Sequence, residues 1–199
     1  MSAAGPLQGA RLSAARSAMS KPKRGAASAP EPWLETTRIA LRAFMAEDAP
    51  LLHELDSDSR VVRFVGNGKP APRSEIDVRL ARIVRNYALY PGLGSWFATR
   101  RDTGAFIGWF TLKYCPPSCD VEVGYRLCHA AWGRGFATEG ATELVRYAFD
   151  DLGLERVIGV THPDNHVSQR VLMKAGLADE GWGRYYGLKL RLFAAARPR

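Results

Sequence analysis

The sequence predicts an α/β fold: a mixed sheet of six or seven strands flanked by about four helices. Three observations carry this. Segments that alternate apolar and polar residues are interleaved with segments whose apolar residues recur every three or four positions. Gly and Pro clusters punctuate the junctions between them. The 199 residues, 46% hydrophobic and 24% charged, suit one globular domain large enough to bury a core.

The elements follow in order. Order is expected to begin near Trp33. Thr37-Arg-Ile-Ala-Leu-Arg42 alternates as a strand does. Asp48 caps a short helix through Leu55, with Leu51, Leu52 and Leu55 inward. Residues 60–73 read as a loop with Gly and Pro punctuation. Ser74 is a good N-cap for a helix to about Tyr87, striped by Ile76, Leu80, Ile83, Val84 and Tyr87. Ser95–Arg100 and Ala105–Tyr114 form a hairpin around Arg101-Asp-Thr-Gly104. Val121–Leu127 is the next strand, and Trp132 to Glu139 opens a helix to about Leu152. Its residues Ala137, Ala141, Leu144, Val145, Ala148 and Phe149 share one face. Arg156–Thr161 is a short strand, Asn165–Ala175 a helix stopped by Gly176. Strands near Leu177–Tyr185 and Leu188–Ala194 complete the sheet.

Residues 1–32 differ in kind. They are Ala, Ser, Gly, Pro and basic residues, too poor in large apolar side chains to offset chain entropy, and read as a disordered basic tail. Met19 offers a shorter start. Arg11, Arg16, Lys21, Lys23 and Arg24 face only Glu31 there, so the tail holds half of the net charge of +8. The body, residues 33–199, is mildly basic, which suits an anionic ligand. No signature of sequence-specific nucleic-acid recognition is present. No apolar run reaches membrane-spanning length, and the N-terminal stretch lacks the apolar core of a secretory signal. The cysteines Cys115, Cys119 and Cys128 are odd in number and read as reduced, in keeping with a cytoplasmic protein. Their spacing, with His129, does not suit a zinc site, and no metal is expected.

The informative segment is strand, Gly-rich turn, helix: Asp120-Val-Glu-Val-Gly-Tyr-Arg-Leu127 followed by Gly133-Arg-Gly-Phe-Ala137. Small residues at 133, 135 and 137 let backbone N–H groups approach a ligand. The helix N-terminus behind them adds partial positive charge, so the turn is an anion site suited to a pyrophosphate. It is not a P-loop, which needs Lys-Ser or Lys-Thr after its second Gly. Nor is it a dinucleotide fingerprint, since Thr138 stands where a third Gly or Ala belongs.

From Trp33 to Phe193 the chain resembles the GNAT N-acetyltransferases, in particular the ribosomal-protein N-terminal acetyltransferase branch (RimJ/RimL-like). The resemblance rests on Glu35-Thr-Thr-Arg-Ile-Ala-Leu-Arg42, Thr103-Gly-Ala-Phe-Ile-Gly108, Val121 to Tyr125 with Trp132 to Glu139, and Asn165 to Gly176, in that order. Two positions depart from the wider family: Trp132 stands where Arg or Gln is usual, and Leu172 where many relatives carry a Tyr acid.

The resemblance implies acetyl transfer from acetyl-CoA to a primary amine by direct attack on the thioester, the acceptor being a protein N-terminus or a small amine. It implies a cofactor site of Val123, Tyr125, Arg134, Gly135, Phe136, Ala137, Thr138 and Asn165. On the strand, Glu122, Gly124 and Arg126 share a face, and Glu122 matches the position of a catalytic glutamate in several relatives. His162 is the competing base, and Ser168, near the CoA thiol in similar enzymes, a candidate acid. The cationic stretch Arg60, Arg63, Lys69 and Arg73 would disfavour polycationic acceptors. A monomer or homodimer is expected. The alternative is a non-catalytic acyl-CoA-binding or ribosome-associated module on the same fold.

Overall fold

The computed structural model describes residues 31–116 and 118–198. The inferred tail therefore lies outside the described residues, save Glu31 and Pro32. The strands are β1 (Leu34–Glu35), β2 (Ile39–Ala43), β3 (Gly94–Arg100), β4 (Phe106–Tyr114), β5 (Val121–Leu127), β6 (Arg156–Thr161), β7 (Ala178–Tyr185) and β8 (Leu188–Ala196). The helices are α1 (Ala49–Ser57), α2 (Ser59–Val62), α3 (Arg73–Leu89), α4 (Phe136–Asp150) and α5 (His166–Lys174). All eight strands join one sheet in the order β1-β2-β3-β4-β5-β6-β8-β7.

The first five strands run antiparallel to their neighbours. β5 and β6 are parallel, because α4 carries the chain back across the sheet between them. β8 then enters antiparallel to β6 and leaves β7 at the edge. The pleat divides the side chains between two cores. On β3, Trp96 and Ala98 join the core under α4, while Phe97 joins Leu52, Leu55, Ile76 and Leu80 of α1 and α3 on the opposite face. α4 lies close to the sheet: a Cβ at Gly140 would stand 2.3 Å from the Phe110 ring.

β5 and β6 have the bounds the alternation predicts. The sheet gains the two-residue β1, too short for any periodicity to mark. Residues 60–73 are not all loop, because Asp58 caps α2 by accepting the Arg60 N–H at 2.9 Å. Ser74 is not the cap of α3. The Pro72 carbonyl takes the N–H groups of Glu75 and Ile76 at 3.0 and 3.2 Å, so Ser74 falls inside the first turn. Val84 is 42% exposed rather than inward, since α3 buries only Ile76 and Leu80.

Candidate active site

β5 and β6 pair only at Val121 with Val157 and Glu122 with Ile158. β5 stays paired with β4 through Leu127. Beyond Glu122, the edge of β5 toward β6 thus has no strand partner among the described residues. Backbone polar groups there are left for a ligand or water, at the mouth of a cleft between the diverging strands.

The Gly-rich turn stands at the C-terminal end of β5. Gly133 and Gly135 have φ of +71° and +82°, left-handed values that L side chains rarely adopt. α4 starts at Phe136, and the N–H of Glu139 is the one that reaches the Gly135 carbonyl, at 3.0 Å. The N–H groups of Phe136, Ala137 and Thr138 therefore precede the helical ladder. A Cβ at Gly133 would meet nothing within 4 Å, so the approach is open. Arg134 and Arg38 hold their guanidinium groups 5.5 and 4.8 Å from the Phe136 ring centroid. Unpaired amides, a helix N-terminus and two cations fit a pyrophosphate.

The turn is tied to β2. Glu139 accepts from the Thr36 hydroxyl at 2.6 Å, the Arg38 N–H at 2.8 Å and Arg38 Nε at 2.6 Å. Arg38 Nη1 also donates to the Arg134 carbonyl at 2.9 Å. Burial opposes the charge on Glu139, but these donors together hold its carboxyl below the usual range.

Side chains of β5 serve both faces of the sheet. Glu122 is only 8% exposed. Its Oε2 accepts from the Tyr186 hydroxyl and lies 3.4 Å from Lys113 Nζ, its cross-strand neighbour. Its Oε1 has no hydrogen-bond partner among the described residues and lies over Gly124, 3.9 Å from where a Cβ would be. Further along the same face, Arg126 pairs with buried Asp56 of α1, which also pairs with Arg79 of α3. Burial lowers both guanidinium groups to about 10, so they stay charged at neutral pH.

On the α4 side, the Tyr125 hydroxyl donates to Ser168 Oγ at 3.1 Å. Burial pushes the Tyr125 phenol up to about 12, against the opposing effect of the Ser168 bond. Ser168 Oγ accepts from Tyr125 and so keeps its own proton free to donate. Asn165 is the N-cap of α5, and its side-chain oxygen accepts the Ser168 N–H at 3.1 Å. Leu172 is buried against Gly159, so α5 offers no phenol there.

His162 stands just past β6. Its Nδ1 accepts the Asp164 N–H at 3.2 Å, which places the proton of the neutral ring on Nε2. The ring stacks on Phe64, with centroids 5.2 Å apart, and Arg63 lies 4.4 Å over that same Phe64. The cationic segment thereby reaches the end of β6.

Three partnerships were invisible to spacing: Glu122 with Tyr186, Tyr125 with Ser168, and Glu139 with Thr36 and Arg38. Only Glu139 carried a hint, as an acid in the first turn of a helix. Among the described residues, no three His, Cys, Asp or Glu side chains gather as a metal would require. No described helix is long and apolar enough to cross a membrane.

A profile described as an acetyltransferase (GNAT) domain matches residues 38–178. The chain is 35% identical over 156 residues to the FsC-acetyl coenzyme A-N(2)-transacetylase of Aspergillus fumigatus, covering 74% of this chain and 65% of that protein. It thus spans slightly less than two thirds of that relative. It is 33% identical over 160 residues to the uncharacterized N-acetyltransferase YoaA of Bacillus subtilis, covering 78% of this chain and 88% of YoaA. Among solved structures, an acetyltransferase from Agrobacterium tumefaciens superposes with a TM-score of 0.72 at 23% identity, over 89% of this chain and all of that one. A RimL ribosomal L7/L12 alpha-N-protein acetyltransferase in complex with coenzyme A superposes with a TM-score of 0.68 at 16% identity, over 81% and 96% of the two chains. At these identities the two structures speak for the fold.

Proposed function

This chain belongs to the GNAT acetyltransferase family, and from that premise we propose that it transfers an acetyl group from acetyl-CoA to a primary amine. The observation that carries the reading is the cleft where β5 leaves β6, with the Gly-rich turn at its mouth and Glu122 at its root. Acetyl-CoA supplies an activated thioester. The amides of Arg134 to Ala137 would hold its pyrophosphate, and Thr138, Asn165 and the β5 backbone at Val123 and Tyr125 its arm.

Two proton movements remain for side chains. An α-amine has a pKa of about 7.7–8.0, so part of it is protonated at neutral pH and a base is needed. Oε1 of Glu122 is the oxygen free to accept that proton. His162 suits the task less, because the nitrogen with the lone pair already accepts a backbone N–H. On the opposite face, the free hydroxyl proton of Ser168, backed by Tyr125, is the donor for the departing thiolate.

For the acceptor, we favour a protein N-terminus or small amine carrying negative charge. The stacked Arg63, Phe64 and His162 bring a cation to the end of the cleft. The name of the N(2)-transacetylase relative supports a nitrogen acceptor, and the RimL structure is a fold-level precedent for a protein N-terminus. The test is acetyl-CoA turnover by the full chain against peptides with varied N-termini and small amines of graded charge. Turnover with neutral or anionic amines is expected. CoA binding without turnover on any of them would leave a non-catalytic module.

A further inference from the structure

β7 ends at Tyr185 and β8 begins at Leu188, and these two residues face each other in register. The link is Tyr186-Gly187, with φ of +54° and +75°. Two successive positive values define the tight hairpin turn that Asn-Gly fills best. Tyr186 is the only non-Gly residue with positive φ among the described residues. A bulky residue in this region is strained, and such strain persists where surrounding contacts enforce it.

The contacts that enforce it converge on the phenol oxygen. Tyr186 donates to Glu122 Oε2 and accepts from Lys113 Nζ at 2.6 Å. The Cys115 thiol reaches the same oxygen at 3.5 Å. The ammonium of Lys113 also lies 4.7 Å over the Tyr186 ring. Burial first, and then the charge of Glu122, raise the phenol well above its ordinary pKa, so it remains a donor throughout the working range. A hydroxyl 64 positions along the chain from Glu122 thus occupies one carboxylate oxygen and leaves the other over Gly124.

We propose that Tyr186 is a positioning residue for Glu122: the strained hairpin turn presents its phenol so that Oε2 is pinned and Oε1 is aimed at the acceptor amine. This rests on the reading of Glu122 as the base. It explains why a Tyr occupies a turn where Asn or Gly would be more stable.

The experiment compares three variants of the full chain. Tyr186→Phe keeps the ring and removes only the hydroxyl. It should lower kcat about tenfold by loosening Glu122, while KM for acetyl-CoA stays unchanged. The thermal midpoint should fall, because the strained turn remains and the contacts that hold it are lost. Tyr186→Asn relieves the turn, so its thermal midpoint should lie above that of Tyr186→Phe while kcat falls at least as far. Glu122→Gln is the control. Should it keep most of its turnover, the base assignment fails and takes this inference with it. Should it lose turnover while Tyr186→Phe retains the parent's kcat, Tyr186 does not position the base, although Glu122 remains one. A midpoint for Tyr186→Asn no higher than that of Tyr186→Phe would show that the turn stores no strain and overturn the proposal.

Discussion

Glu122 and Tyr125, three positions apart on β5, point to opposite faces of the sheet and engage different partners. Glu122 meets Tyr186 from the β7–β8 hairpin, and Tyr125 meets Ser168 from α5. A strand alternates its side chains, so an odd separation places the groups on opposite sides of one backbone. In the proposed reaction this separates the proton taken from the amine from the proton given to the thiolate.

On the base side, Glu122→Gln should lower turnover by about 10²–10⁴-fold, the usual contribution of a general base. Acetyl-CoA affinity by calorimetry should barely move, since the carboxylate lies across the sheet from the pyrophosphate turn. Retention of most turnover would point to His162 or to water acting alone.

For the acid side, Ser168→Ala and Tyr125→Phe should each lower kcat, by about tenfold if one transition-state hydrogen bond is lost. The two residues act in series through one bond, so the double variant should be little worse than Ser168→Ala. Fully additive losses in a double-mutant cycle would show that they act separately.

At the turn, Gly135→Ala should cost about 1 kcal/mol of stability, because its φ of +82° suits no L side chain well. Gly135→Asp adds a carboxylate where the pyrophosphate is expected, beside an Arg38 Nη2 that stands 3.2 Å from the new Cβ. That guanidinium can pair with the new acid and offset some of the strain. Gly135→Asp should therefore fold, yet bind CoA far more weakly than Gly135→Ala. Equal CoA affinities for the two would remove the pyrophosphate from this turn.

Glu139 links stability to pH. Its carboxyl is lowered in the folded chain, so the clamp contributes fully above the unfolded value of about 4.3 and is lost as pH falls below it toward the folded pKa. In urea titrations Glu139→Gln should be less stable than the parent near neutral pH, and the gap should narrow in acid. A gap independent of pH would mean the carboxylate's charge contributes nothing.

The cation at the mouth of the cleft should read the acceptor. Arg63→Ser should raise KM for an anionic amine and leave that for acetyl-CoA nearly alone, with a smaller effect from Arg73→Ser at the start of α3. Added salt should shrink the difference, since exposed charges are screened over about 8 Å at physiological ionic strength. A parent enzyme that prefers a polycationic aminoglycoside would refute this account of the acceptor.

Sequence alone was enough for whatever depends on local backbone period and stereochemistry. The strands Val121–Leu127 and Arg156–Thr161, the apolar face of α4 and the Gly-rich helix start are all legible without coordinates, because alternation, helical spacing and the conformational freedom of Gly are local properties. The ordered motifs along the chain carried the family for the same reason. Tertiary structure decided which side chains meet. Glu122 and Tyr186 are separated by 64 positions, Tyr125 and Ser168 by 43, Arg38 and Glu139 by 101. Those meetings depend on strand order, on β8 entering between β6 and β7, and on the point where β5 parts from β6. None of these leaves a periodic trace in the sequence, because each is set by how whole layers pack, and a carboxylate on an exposed strand and one pinned in a cleft are spelled by the same letter.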